Sequence, residues 1–183
     1  MKKQMIFILG GILILAMVGA GAAYRVLQEQ YKPETDTGSQ NESVNTAPDF
    51  TVQDDAGQAV RLSDFSGKPM VVNFWATWCG PCKSELPAFE AAYHAYKDEV
   101  GFMMVNLTDG QRETVESVKA FIDQNGYSFP VYYDTEYSAS QAYGVYSVPL
   151  TVFIDADGTI QNAQIGAMSA DVLEGYLQEL TGG

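Results

Sequence analysis

A chain of 183 residues with 23 acidic and 10 basic side chains carries a formal charge of −13 and has no basic stripe to hold phosphates, which argues against a nucleic-acid role. Its 46% hydrophobic content is that of an ordinary folded protein. Two cysteines and one histidine fall short of the four nitrogen or sulfur ligands that a structural zinc site takes.

The chain begins with an uncharged apolar run, "MIFILGGILILAMVGAGAA" from Met5 to Ala23, behind Lys2 and Lys3. As a helix it would span about 28 Å, close to the hydrocarbon thickness of a bilayer. The positive-inside rule then puts residues 1–4 in the cytoplasm, 5–23 in the membrane as an anchor and the rest outside, although Arg25 blurs the asymmetry. The competing reading is a cleaved signal peptide, because Met5 to Val18 is short and Ala20-Gly21-Ala22 offers small residues at a cleavage position. No cysteine follows the run, which excludes an N-terminal lipoprotein anchor. Both readings place the remainder outside the cytoplasm, at the cell membrane or secreted. That remainder holds all 23 acids but only 8 of the bases, a surface suited to solubility.

Residues 24–46 read as a flexible tether, since "EQYKPETDTGSQNESVNTAP" (29–48) is polar and nearly free of aliphatics. The folded domain is expected over 47–183. Its first strands, "FTVQD" and "AVRL", flank the turn Asp54-Asp55-Ala56-Gly57 and predict a hairpin. "PMVVNFWA" is a strand buried on both faces. A helix follows from Pro81 to about Lys97, with Leu86, Phe89, Tyr93 and Tyr96 spaced by three and four. Then come strand "GFMMVNL", helix "ETVESVKAFIDQ", strand "FPVYYD" and a short helix near Ser138 to Tyr143. Two strands, "PLTVFID" and "TIQNAQI", share a tight turn at Asp155 to Gly158, and a helix from about Ser169 to Leu180 closes the domain. Alternation followed by a hairpin predicts an α/β fold with a mixed sheet covered by helices on both faces.

Both cysteines, Cys79 and Cys82, stand in "FWATWCGPCKSELP" at the junction of strand and helix. His94 is twelve residues beyond Cys82 on the same predicted helix, about 18 Å along its axis, and cannot join them at a metal. A disulfide across so short a loop contributes little as a structural clip. A reactive pair is the remaining reading. Helix N–H groups and the helix dipole favour a thiolate at Cys79, the nucleophile. Pro81 suits the first helical turn and leaves Cys82 more buried, as the resolving thiol. Such a pair exchanges with disulfides through a mixed disulfide, with no cofactor and no metal.

At Trp78-Cys79-Gly80-Pro81-Cys82 the chain resembles thioredoxin. "SVPLT" (147–151) resembles that family's cis-proline loop, in which Val148 and Pro149 would bind substrate by strand addition, beside Trp78, Gly80 and Pro81. The N-terminal segment, the extra strand and helix at about Gly101 to Asn125, and the stretch 47–87 resemble the membrane-anchored TlpA/ResA-like reductases, whose leading hairpin is shared with the peroxiredoxin-like AhpC/TSA redoxins. The resemblance implies a thioredoxin-like fold, a thiol–disulfide oxidoreductase that reduces exported proteins, apocytochrome c among the subfamily's clients, and a membrane electron carrier to recharge it. Asn73 stands where ordinary thioredoxins carry a buried aspartate. Glu85, three residues after Cys82, resembles the subfamily's acidic residue and is a candidate acid–base group, although the proline that follows stands at 87. Asp109 and Glu113 are weaker candidates. Trp75 reads as core, Tyr132, Tyr133, Tyr143 and Tyr146 as half-buried core with a substrate groove as the alternative, and His94 as a surface residue. Three other functions compete: a dithiol oxidase, a peroxide reductase, for which the motif is wrong, and a non-enzymatic binding module.

Overall fold

The computed structural model describes residues 45–182. The expected cytoplasmic N-terminus (1–4), membrane segment (5–23) and nearly all of the tether (24–46) lie outside the described residues. Among those described, no helix is long and apolar enough to cross a membrane.

Strands β1 (Thr51–Gln53) and β2 (Ala59–Arg61) form the leading hairpin. Its turn is closed by Asp54 Oδ1, which accepts the N–H groups of Ala56 and Gln58, and by Gly57 at φ +74°. Asp and Gly are the residues such a turn demands. A single 3₁₀ turn, Leu62–Phe65, leads to β3 (Met70–Trp75). Helix α1 (Gly80–Tyr96), β4 (Gly101–Asn106), α2 (Val115–Asn125), β5 (Val131–Tyr133), α3 (Ser138–Ala142), β6 (Leu150–Ile154), β7 (Ile160–Ile165) and α4 (Ala170–Thr181) follow. Helix α2 starts on a reciprocal cap between Thr114 and Ser117 and ends at Gly126 in the left-handed region.

The seven strands lie in the order β2-β1-β5-β4-β3-β6-β7. Strands β3, β4 and β5 are parallel and the other pairings antiparallel, so this is the mixed sheet expected from the sequence. All six residues of β3 are buried and alternate between two cores. Val71 and Trp75 pack with Leu86, Phe89 and Leu177 beneath α1 and α4. Met70, Val72 and Phe74 pack with Phe50, Val105 and Val152 on the opposite face. The parallel β3 ends at the N-terminus of α1, and that geometry places the cysteines at the carboxyl edge of the sheet.

The domain starts slightly earlier than 47. Thr46 bridges Thr159, and the Ile160 N–H donates to the Asn45 carbonyl at 2.7 Å. Two residues whose polar character reads as tether are thus held by backbone pairing to β7, which is blind to side-chain type.

Candidate active site

Cys79 is the N-cap residue of α1, and Pro81 lies in the helix's first turn. The two sulfurs are bonded, with 5.3 Å between the Cα atoms. The Cys82 N–H donates to Cys79 Sγ at 3.1 Å. An unpaired helix N–H thus points at the sulfur that the sequence assigns as nucleophile, and such a donor favours its thiolate. Cys79 is 5% exposed and Cys82 fully buried, the asymmetry expected of attacking and resolving thiols. Gly80 and Pro81 are exposed beside them. The Val148–Pro149 bond is cis, and the Val148 carbonyl oxygen lies 3.6 Å from Cys79 Sγ. The loop preceding β6 therefore meets the disulfide, as expected.

Glu85 sits one turn after Cys82 on α1 and is only 1% exposed, so it is not a solvated first-turn glutamate. Its Oε1 accepts Asn73 Nδ2 at 3.0 Å, and its Oε2 accepts the Met168 N–H at 3.1 Å. Burial pushes the Glu85 carboxyl above the usual range, against these two donors, which pull it down. Asn73 also donates to Thr151 Oγ1 at 2.9 Å, and its amide oxygen has no partner. Asn73 thus ties β3, β6 and α1 together below the disulfide.

The loop between β4 and α2 supplies contacts that the sequence did not reveal. Glu113 is fully buried, and its carboxyl accepts the Thr77 N–H (2.7 Å), the Thr77 hydroxyl (2.7 Å) and Asn106 Nδ2 (2.8 Å). It therefore holds the segment entering Trp78 and Cys79. Asp109 is exposed, and its Oδ1 accepts the N–H groups of Glu113, Gln111 and Arg112, which hold its carboxyl below the usual range. The Arg112 guanidinium lies 3.9 Å from the centroid of the Trp78 ring, and Trp78 is 42% exposed. The available signal was Asn106, a polar residue inside the apolar run "FMMVN", which needs a buried partner.

Other candidates are placed away from this chemistry. Trp75 is fully buried core, and its indole N–H has no partner. Tyr133 is core and donates to Asp55 at 2.6 Å. Tyr143 packs against Phe50 and Phe74. Tyr146, expected to be half-buried, is instead 85% exposed, because it stands in the loop before β6 and lines an open apolar hollow of about 380 Å³ with Leu150 and Val152. His94 is a surface residue bonded to Glu90. Among the described residues, no cluster of histidine, cysteine or acidic side chains is arranged to hold a metal.

A dithiol turn that caps a helix, delivered by a buried strand and faced by a proline loop on a mixed sheet, defines a thioredoxin-like thiol–disulfide oxidoreductase. The chain belongs to the AhpC/TSA family, whose profile matches residues 44–163. It is 33% identical over 166 residues to the thioredoxin-like protein YneN of Bacillus subtilis, covering 91% of this chain and 94% of that one. It is 38% identical over 135 residues to the thiol-disulfide oxidoreductase ResA of Bacillus thuringiensis, covering 74% and 76%. The fold is similar to the crystal structure of a secreted Mycobacterium tuberculosis disulfide oxidoreductase, with a TM-score of 0.63 at 29% identity, covering 72% of this chain and 96% of that one.

Proposed function

We propose that this oxidoreductase works outside the cytoplasm, held at the membrane by residues 5–23, and that it reduces disulfides of exported proteins. The Cys79 thiolate attacks a client disulfide: a Cys79–client bond forms, the client bond breaks, and one client sulfur leaves as a thiolate. The Cys82 thiolate then attacks Cys79 Sγ, closes the protein's own disulfide and releases the second client sulfur. The client gains two electrons and the protein loses two. Protons from solvent neutralise the released thiolates. A membrane electron carrier then returns the protein to the dithiol.

The observation that carries this reading is the asymmetry of the pair: an N–H on Cys79 Sγ at the helix start, and a sealed Cys82 with a buried carboxyl one turn below. Glu85, its affinity for protons raised by burial, is suited to take the proton of Cys82 before the second attack. Trp78, Gly80, Pro81, Val148 and Pro149 are the residues that surround the incoming client sulfur. The apolar run and acidic outer domain support the location, and the similar M. tuberculosis protein is described as secreted. Apocytochrome c is one client class that the TlpA/ResA resemblance implies.

The same N–H favours a second reading, a disulfide donor, because any group that stabilises the thiolate stabilises the reduced form and raises the potential. Redox-buffer titration of the full chain separates the two. A potential near about −270 mV, the value of thioredoxin, supports the reductase, and one near about −120 mV overturns it in favour of the oxidase.

A further inference from the structure

We propose that Arg112 is a positioning residue for the exchange reaction, acting through Trp78: it lies over the indole, fixes that ring in the residue directly before Cys79, and holds a cation on it. The proposal rests on thiol–disulfide exchange at Cys79 and holds for either net direction of electron flow.

Four observations converge on it. The guanidinium is stacked at 3.9 Å from the ring centroid, well inside the range in which the ring's quadrupole attracts a cation. Trp78 is the residue before the nucleophile and leaves 42% of its surface exposed, so its ring would otherwise be free to change rotamer in solvent. The backbone that presents Arg112 is held in place. Asp109 Oδ1 accepts the N–H groups of Arg112 at 2.7 Å and of both its neighbours, Gln111 and Glu113, and the Gly110 N–H donates to the Glu113 carbonyl. Glu113 in turn grips Thr77, the residue before Trp78. Residues 109–113 therefore hold the approach to Cys79 twice, through a buried carboxyl on Thr77 and an exposed guanidinium on Trp78.

The two contacts differ in kind. The grip on Thr77 is made by a fully buried carboxyl. The stack on Trp78 is at the surface, where it contributes little to stability, and it stands where a client polypeptide must arrive. Its effect on chemistry has a definite sign. Attack by Cys79 proceeds through its thiolate, which carries negative charge, whereas the disulfide form carries none. A cation held on the adjoining residue therefore stabilises the thiolate form over the disulfide. A planar guanidinium can stack on indole and hold its charge there, whereas the ammonium of lysine is a hydrated point charge.

The test compares the full chain with Arg112→Ala and Arg112→Lys. Three readouts are taken: tryptophan emission with acrylamide quenching, which reaches the exposed Trp78 and not the buried Trp75, the equilibrium of the Cys79–Cys82 couple against a redox buffer, and steady-state kinetics on insulin and on a small aromatic disulfide. Arg112→Ala is expected to alter Trp78 emission, to shift the equilibrium constant about threefold toward the disulfide form, and to raise KM for insulin about threefold with kcat nearly unchanged. Arg112→Lys should restore part of the equilibrium shift and little of the emission. Unchanged emission, equilibrium and KM in Arg112→Ala would overturn the proposal. Equal losses on insulin and on the small disulfide, with kcat falling, would also overturn it, because they signal a damaged fold rather than a displaced ring. Failure of the unaltered chain to turn over either disulfide would instead refute the exchange reading itself.

Discussion

The two faces of the sheet differ in chemistry. On the face toward α3, strands β3, β4 and β6 contribute Met70, Val72, Phe74, Met103, Val105, Leu150, Val152 and Ile154, every one apolar and buried. On the face toward α1 and α4, the same strands each present one buried polar residue: Asn73, Asn106 and Thr151. Those three residues lie beneath the cysteines and are matched by two buried carboxyls, Glu85 and Glu113. Buried polar groups are costly unless they are paired, so one face holds the sheet together while the other trades some of that stability for a positioned dithiol.

Substitutions at four positions sharpen this division. Phe74→Ala removes a fully buried ring from the apolar face and should cost about 3–5 kcal/mol in denaturant unfolding, while the potential of the dithiol stays where it was. A moved potential would mean that the two faces are coupled. Glu113→Ala leaves the Thr77 N–H, the Thr77 hydroxyl and the Asn106 amide without their acceptor, and should cost roughly 2–3 kcal/mol and slow attack by Cys79. Glu113→Gln, which keeps an acceptor oxygen, should lose less of both. Stability without slowed attack would confine Glu113 to the fold.

Glu85→Gln tests the sign of the buried charge. Burial raises the folded-state affinity of Glu85 for a proton, so its contribution to stability is complete below the unfolded-state value and is lost as pH rises through the folded-state value. The variant should therefore be more stable than the parent, by on the order of 1 kcal/mol, once pH exceeds the folded-state value, and the gain should vanish below the unfolded-state value. It should also release mixed disulfides more slowly. A gain that is independent of pH would remove the charge argument. The smallest effect belongs to His94→Ala, on the surface of α1 and bonded to Glu90, with a change within about 0.5 kcal/mol and no change in exchange rate.

Much of the arrangement is legible in the chain. Periodicity located the helix after the cysteines, apolar runs located the central strands, and turn residues located the two hairpins, because burial and turn geometry dictate those patterns. The cysteine motif reveals its chemistry through its place between strand and helix. Legibility fails where partners are distant in sequence. Glu113 and Thr77 are 36 residues apart, and Met168 lies 83 residues beyond Glu85. Nothing local in "LTDGQRETV" marks Glu113 as buried or Arg112 as stacked, since both are common surface residues at the entrance to a helix. Asn45 and Thr46 read as tether for the same reason: backbone pairing to a strand edge leaves no side-chain signature.

By itself the sequence determined the order of elements, the mixed sheet and the reactive pair, because each follows from local pattern or from residues whose chemistry has few other uses, while the facing proline loop was legible only through the resemblance to thioredoxin. Only the tertiary structure decided which acids are buried, which backbone N–H groups they hold, and which cation covers Trp78. Those outcomes depend on how the parallel β3–β4 pairing brings the β4–α2 loop, and the antiparallel β6–β7 hairpin the β7–α4 loop, to the carboxyl edge of the sheet. A side chain's burial is a property of the surroundings it meets there and is not written in its own neighbours.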